Sequence, residues 1–271
     1  GIDLKSWNLS INYGIKTGLN EAFVIDSAKK DELIKADPKS AEILKPLIRG
    51  RDVVKYRVNY DGLWLINTHN GIKEKNIPPI DVLNNYPAIF KHLESFGNEI
   101  IKRSDKGVHW SNLRNCAYIE EFEKPKIIFP NMTKHMPFYY DDEGFYTNQK
   151  CYIITGDHLL YLTAILNSKL FDYCFRSNFP ELLGGVVELS KVFFERIPVK
   201  KADKKIEDLL GSTALKIIKA KKADPQANTS ALEQEIDNMV YKLYQLTFNE
   251  VKVIDPEFAL SEAEYAAIKL E

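Results

Sequence analysis

Apolar positions change their period several times along the chain, and each change predicts a change of element. Ala22-Phe23-Val24-Ile25-Asp26, Leu63-Trp64-Leu65-Ile66 and Lys126-Ile127-Ile128-Phe129-Pro130 are short, β-branched or aromatic, and bounded by turn formers, so each predicts a strand. Between Asp81 and Ile101 the apolar residues Val82, Ile89, Leu93, Phe96 and Ile100 fall at roughly helical spacing, with Pro87 near the first turn. Phe145-Tyr146 and Cys151-Tyr152-Ile153-Ile154 flank the polar stretch Thr147-Asn148-Gln149 and predict a second group of strands. Leu162, Ile165, Leu166 and Leu170 then predict an amphipathic helix from Leu159 to Phe175, ending near Ser177-Asn178. An extended run from Gly184-Gly185 to Leu189 and the segment Ile197-Pro198-Val199 close this part.

Beyond it the composition shifts. Lys200 to Lys222 is rich in lysine and small residues, and Ala223-Asp224-Pro225-Gln226-Ala227-Asn228 is a polar break. Ser230-Ala231-Leu232-Glu233 fits a capping box, and Leu232, Ile236, Met239, Val240, Leu243 and Leu246 form one stripe at three- and four-residue steps. The expected organisation is a mixed α/β domain over residues 1–200, a helical hairpin over 201–255 and a tail over 256–271.

A chain of 271 residues with 45% hydrophobic content supports a sizeable core. The balance of 37 basic against 38 acidic side chains means that any nucleic-acid binding must come from a local basic face. Cys116, Cys151 and Cys174 are far apart, with no C-x-x-C pair or histidine cluster to suggest zinc, so a reduced, cytoplasmic protein is expected. No apolar run approaches the roughly 20 residues of a membrane span. The start at Gly1-Ile2-Asp3 points to a piece of a longer chain.

Gly14-Ile15-Lys16-Thr17-Gly18-Leu19-Asn20-Glu21-Ala22-Phe23-Val24-Ile25, followed by Leu44-Lys45-Pro46-Leu47-Ile48-Arg49-Gly50-Arg51-Asp52-Val53 and Tyr56, resembles the TaqI-like C-terminal specificity domain of type IIG restriction-modification enzymes. The resemblance continues in order through Tyr86-Pro87, Arg103-Ser104-Asp105-Lys106-Gly107, Trp110 to Arg114, Phe122 to Ile128, Leu166-Asn167-Ser168 and Ile197-Pro198. Leu232 to Tyr244 is similar to the helix that closes such enzymes and recurs in type I specificity subunits. The resemblance implies a module that reads a short sequence in double-stranded DNA. It would hold the duplex for an adenine N6 methyltransferase domain of the same chain, and that parent would use S-adenosylmethionine, with magnesium if it also cleaves. It implies no catalytic group and no cofactor in this part.

Reading a duplex takes cations for phosphates and forked or planar donors for base edges. Lys45, Arg49, Arg51, Lys55 and Arg57 crowd one segment with Tyr56 beside them. Lys102, Arg103, Lys106 and Arg114 crowd another, with His109 and Trp110 between. Arg49, Arg51, Arg103 and Arg114 are therefore candidates for close contacts, and Lys16, Lys55 and Lys106 for phosphates. The loop Gly14 to Gly18 adds Thr17; Asn20 and Asn148 have the amide that pairs with adenine, and Tyr56 and Trp110 are aromatic candidates for DNA contact, Trp110 in a groove or on the backbone. Against this stands the plain reading that such charges are ordinary solvated ion pairs, that the loop is a turn, and that Trp110 is packing.

Ile77-Pro78-Pro79-Ile80 lacks the polar and aromatic partners of a methyltransferase Asn/Asp-Pro-Pro-aromatic loop, and no glycine-rich cofactor loop is present. Two rival readings remain open at this point. Asp141-Asp142-Glu143 would have to hold a metal in a nuclease, although a solvated hairpin tip is the simpler expectation. Alternatively, the helical stripe would bind protein only.

Overall fold

Cys151–Gly156 reads as a strand, and its side chains from Cys151 to Thr155 are buried on both faces, which places it inside a sheet. In the computed structural model, which describes residues 1–270 and all their side chains except 175–178, this strand pairs antiparallel with Lys126–Pro130 on one side and Leu9–Tyr13 on the other. Tyr139–Asp141 pairs with the outer edge of Lys126–Pro130 and completes a four-stranded antiparallel sheet. A second sheet of four short strands runs Tyr146–Thr147, Leu44–Ile48, Trp64–Ile66, Val24–Ile25. Its first pair is parallel, Tyr146 lying opposite Leu47 and Thr147 opposite Ile48. The fold class is thus the expected mixed α/β.

Lys126–Pro130 forms as its composition predicts, but other elements depart from expectation for identifiable reasons. Of the run from Ala22, only Val24–Ile25 is a strand. Asn20–Phe23 is a helical turn, with Phe23 fully buried beneath the Arg103 guanidinium 4.5 Å from its ring, so tertiary packing overrides β propensity. The helix expected from Asp81 to Ile101 is three pieces, Val82–Asn85, Pro87–Glu94 and Gly97–Lys102. Pro87 cannot donate to a continuing helix and instead starts a new one, and Gly97 turns the chain with φ at +54°.

The helix expected from Leu159 is likewise two, Leu159–Leu166 and Lys169–Asn178. Asn167 interrupts it because its amide is engaged elsewhere, accepting from the Phe138 N–H at 3.2 Å and donating to the Phe138 carbonyl at 2.8 Å. Leu159–Leu166 is buried nearly all round rather than amphipathic, lying between the antiparallel sheet and the long helix Lys204–Ala223. Gly211 allows the two helices to meet: a methyl group there would stand 3.3 Å from the Leu160 Cβ.

Lys204–Ala223 and Ser230–Leu243 form the helical hairpin. The helix begins one residue earlier in its capping than the Ser230 pattern predicts. Thr229 is the N-cap, and its hydroxyl donates to Glu233 Oε1 at 2.6 Å. Ile236, Met239, Val240 and Leu243 are buried within one core continuous with that of the sheets, so the stripe is occupied inside this chain and is not an open protein-binding face. Residues after 255 include a capped helix, Glu262–Ala267, and Tyr265 and Phe258 pack against Tyr241 and Phe248. Among the described residues no helix is long and apolar enough to cross a membrane.

Candidate nucleic-acid interface

Leu44–Ile48 runs out of the second sheet into a tight turn, Gly50–Asp52, and then the hairpin Val53–Val54 with Arg57–Val58. The turn is held by Asp52, a buried carboxylate that accepts from the Arg49 backbone N–H at 2.8 Å and from Arg49 Nε and Nη2 at 2.9 and 3.0 Å. Arg49 also reaches Asp61 at 3.0 Å, and its bonds to Asp52 above all raise its pKa further. Its guanidinium is therefore largely committed within the protein. Arg51 is the open cation of the segment, with its side chain 73% exposed and only a 4.0 Å approach to Asp52. Lys55 pairs with Glu233 of the hairpin at 2.9 Å. Tyr56, expected to contact DNA, is buried at 1% exposure and has a left-handed backbone (φ 62°). That expectation is corrected: Tyr56 is a core residue.

Arg49, Arg51 and Lys55 line a cleft of about 1030 Å³. Its other walls come from residues that charge patterning did not single out. Asn131, Met132 and His135 follow the strand Lys126–Pro130, Lys150 precedes Cys151–Gly156, and Lys169 opens a helix. The parallel pairing of Tyr146–Thr147 with Leu47–Ile48 carries Lys150 to the turn, where a Cβ on Gly50 would stand 3.0 Å from the Lys150 carbonyl oxygen. Lys169 pairs with Asp255 at 2.6 Å while its side chain stays 45% exposed. Asp172 is the carboxylate among the lining residues.

The second basic segment is organised differently. Arg103 is 6% exposed and spends its guanidinium on backbone carbonyls of Asp105, Ile100, Trp110 and Asn112. Desolvation lowers its pKa to about 10, which still leaves it charged at neutral pH. The expected DNA contact is therefore corrected to a structural hub, since the guanidinium is buried and four of its five N–H donors go to backbone carbonyls inside the fold. Lys106 is exposed and donates to the Ile101 carbonyl at 2.6 Å, and Arg114 pairs with Asp105 at 2.9 Å. Trp110 is half-buried against Phe90 at 5.2 Å and His109 at 5.1 Å.

Lys16 and Arg114 line a second cleft of about 630 Å³. Thr17 is buried and donates to Asn20 Oδ1 at 2.7 Å, so it orders the loop rather than facing outward, a further correction, whereas Asn20 is exposed. The two clefts adjoin where Gly14–Ile15 lies against Thr147–Asn148: Ile15 N–H donates to the Thr147 carbonyl at 2.7 Å. Any side chain at residue 14 would collide with the Asn148 carbonyl oxygen, 1.9 Å from a built Cβ. Of the predicted set, then, Arg49, Arg51 and Lys55 come together in one cleft and Lys16 and Arg114 in its neighbour.

Asp141 is not at a solvated tip. It is wholly buried in a strand, 2.5 Å from the equally buried Lys126 ammonium, and accepts from the Glu143 and Phe145 N–H groups. A carboxylate whose lone pairs are taken in this way does not fit a magnesium site, and among the described residues no cluster of acidic, histidine and cysteine side chains could hold a metal ion.

Below the cleft, Asp237 accepts from the Lys169 N–H at 2.8 Å and is 3% exposed. Desolvation, only partly offset by that N–H and by Lys55 and Lys169, pushes its pKa up to about 6. The folded value lies above the unfolded one, so the protonated acid's contribution to stability is fully present below about pH 4 and lost as pH rises through about 6. Asp237→Asn should therefore gain stability relative to the native chain between these pH values, by up to about 3 kcal/mol in urea unfolding. A difference that does not vary with pH would show that folding leaves the Asp237 carboxyl unshifted.

Two solved structures share this arrangement of elements. One is the type IIL restriction-modification enzyme MmeI in complex with DNA, matched at TM-score 0.68 and 14% identity over 98% of this chain and 35% of that one. The other is the type IIG restriction endonuclease BpuSI, matched at TM-score 0.51 and 15% identity over 96% of this chain and 32% of that one. The chain thus spans about a third of the length of either protein, and at these identities the likeness is one of fold. Residues 45–199, more than half of the chain, match the model of the TaqI-like C-terminal specificity domain, and the chain belongs to that family.

Proposed function

We propose that this chain is the DNA target-recognition module of a larger restriction-modification enzyme, holding a duplex along the cleft of Arg51, Lys55, Lys150 and Lys169 and supplying no catalytic group. The observation that carries the reading is the convergence of five cations, Arg49 included, from three separate stretches of chain onto one cleft whose acidic lining, among the described residues, is Asp172 alone. Phosphates are the natural partners of such a surface, with register set by the cations and sequence read by side chains that reach base edges. The second cleft, with Lys16 and Arg114, extends the surface along the duplex, and Lys106 and Asn20 are exposed. In this reading the parent works in the cytoplasm and its methyltransferase domain, outside these residues, uses S-adenosylmethionine to methylate adenine N6, with magnesium added if it also cuts.

An anisotropy titration of the full chain against random-sequence duplex at several salt concentrations tests this. Binding should weaken steeply with salt. Arg51→Ala combined with Lys150→Ala should weaken binding to all sequences alike and flatten the log–log slope by about 1 for each residue removed. Salt-independent binding, or a double variant with the native slope, would overturn the assignment.

A further inference from the structure

Asn131 stands out among the cleft residues because its side-chain amide has no hydrogen-bond partner among the described residues, and its Oδ1 is buried without one. A buried amide oxygen left unpaired is a standing energetic cost that folding alone does not explain. The position is nevertheless rigid. The Asn131 N–H donates to the Lys150 carbonyl at 2.8 Å, and its carbonyl accepts from the Leu189 N–H at 2.8 Å, so the backbone is fixed at the end of the central strand Lys126–Pro130. A rigidly placed amide with both its donor and its acceptor unused, in the cleft that Arg51 and Lys150 also line, is suited to a ligand that offers the complementary pair.

The major-groove edge of adenine offers that pair, an N7 acceptor beside an N6 donor, and a carboxamide meets both at once. The neighbouring Met132 is 52% exposed and lines the same cleft, so an apolar side chain is available there for contact with a thymine methyl. We infer that Asn131 is a specificity-determining residue that reads an adenine in the bound duplex, an inference that rests on the cleft being the duplex interface. Reading the base requires the side chain to turn about its Cα–Cβ bond as well as its Cβ–Cγ bond so that both amide atoms face the groove, and the unpaired state then belongs to the free protein.

The test starts with enrichment of the full chain's preferred duplex from a random pool, followed by competition with single-base replacements. One adenine should stand out. Its replacement by 7-deazaadenine, which lacks N7, should weaken native binding by about 5- to 150-fold and leave the affinity of Asn131→Ala unchanged. Asn131→Asp, an acceptor only, should move the preference at that position towards cytosine. Neither substitution touches the backbone bonds of residue 131, and thermal unfolding should show Asn131→Ala as stable as the native chain; a marked loss would assign the side chain to folding and overturn the inference. Variants that keep the native preference at every adenine, or a native chain that binds duplex without base preference, would also overturn it while leaving the cleft assignment intact. Absence of any salt-sensitive duplex binding by the native chain would remove both.

Discussion

Asp141→Ala is expected to lower the unfolding free energy by about 3–5 kcal/mol, because it strands the Lys126 ammonium in a site with no access to water. Burial alone drives the Asp141 carboxyl above its usual range, against the opposing pull of Lys126 and of the Glu143 and Phe145 amides. The pair is therefore held together by mutual need rather than by surplus attraction. Lys126 retains the Phe122 carbonyl at 2.7 Å when Asp141 is removed, but a neutral acceptor does not replace a counter-charge. Lys126→Met with Asp141→Leu removes both charges together and should be markedly less damaging than the sum of the single changes, short of neutral by the two amides left without an acceptor. Urea midpoints of the two single variants and the double variant provide the cycle. A loss below about 1 kcal/mol for Asp141→Ala would mean that water reaches the pair.

Arg103→Met should be comparably severe, about 3–5 kcal/mol, for a different reason. One guanidinium satisfies carbonyls of residues 100, 105, 110 and 112 and stacks on Phe23, so its removal opens the whole turn at once. Arg103→Lys should recover little, since an ammonium cannot span the same fork. Limited proteolysis is the more telling measurement: cleavage between residues 104 and 112 should appear in both variants under native conditions. Protection equal to the native chain would assign the turn's order to Trp110 and its ring neighbours instead.

These two sites show where sequence reasoning stops. Lys126–Pro130 and the hairpin helices follow from local pattern, because each depends on neighbours within a turn or two. Arg51 and Lys55 were legible as cleft residues through local crowding of charge. Arg103 and Tyr56 carried the same signal and are buried, since composition does not report which way a side chain turns. Lys150, Lys169 and Asn131 carried no signal at all. They reach the cleft through the pairing of residues 146–147 with 47–48 and through the break at Asn167, contacts between distant stretches that a single chain does not announce.

The partners of Lys55 and Lys169 give the cleft a moderated potential. Glu233 and Asp255 sit within ion-pair distance of two of its lysines and belong to the helical part, so their negative charge is delivered to the cleft by the fold itself. A phosphate arriving there meets half-neutralised ammonium groups, and its attraction is weaker than a bare count of cations suggests. If the cleft holds a duplex as proposed, adhesion to arbitrary sequences would be restrained, and a larger share of the holding energy would come from contacts that only the right bases can make.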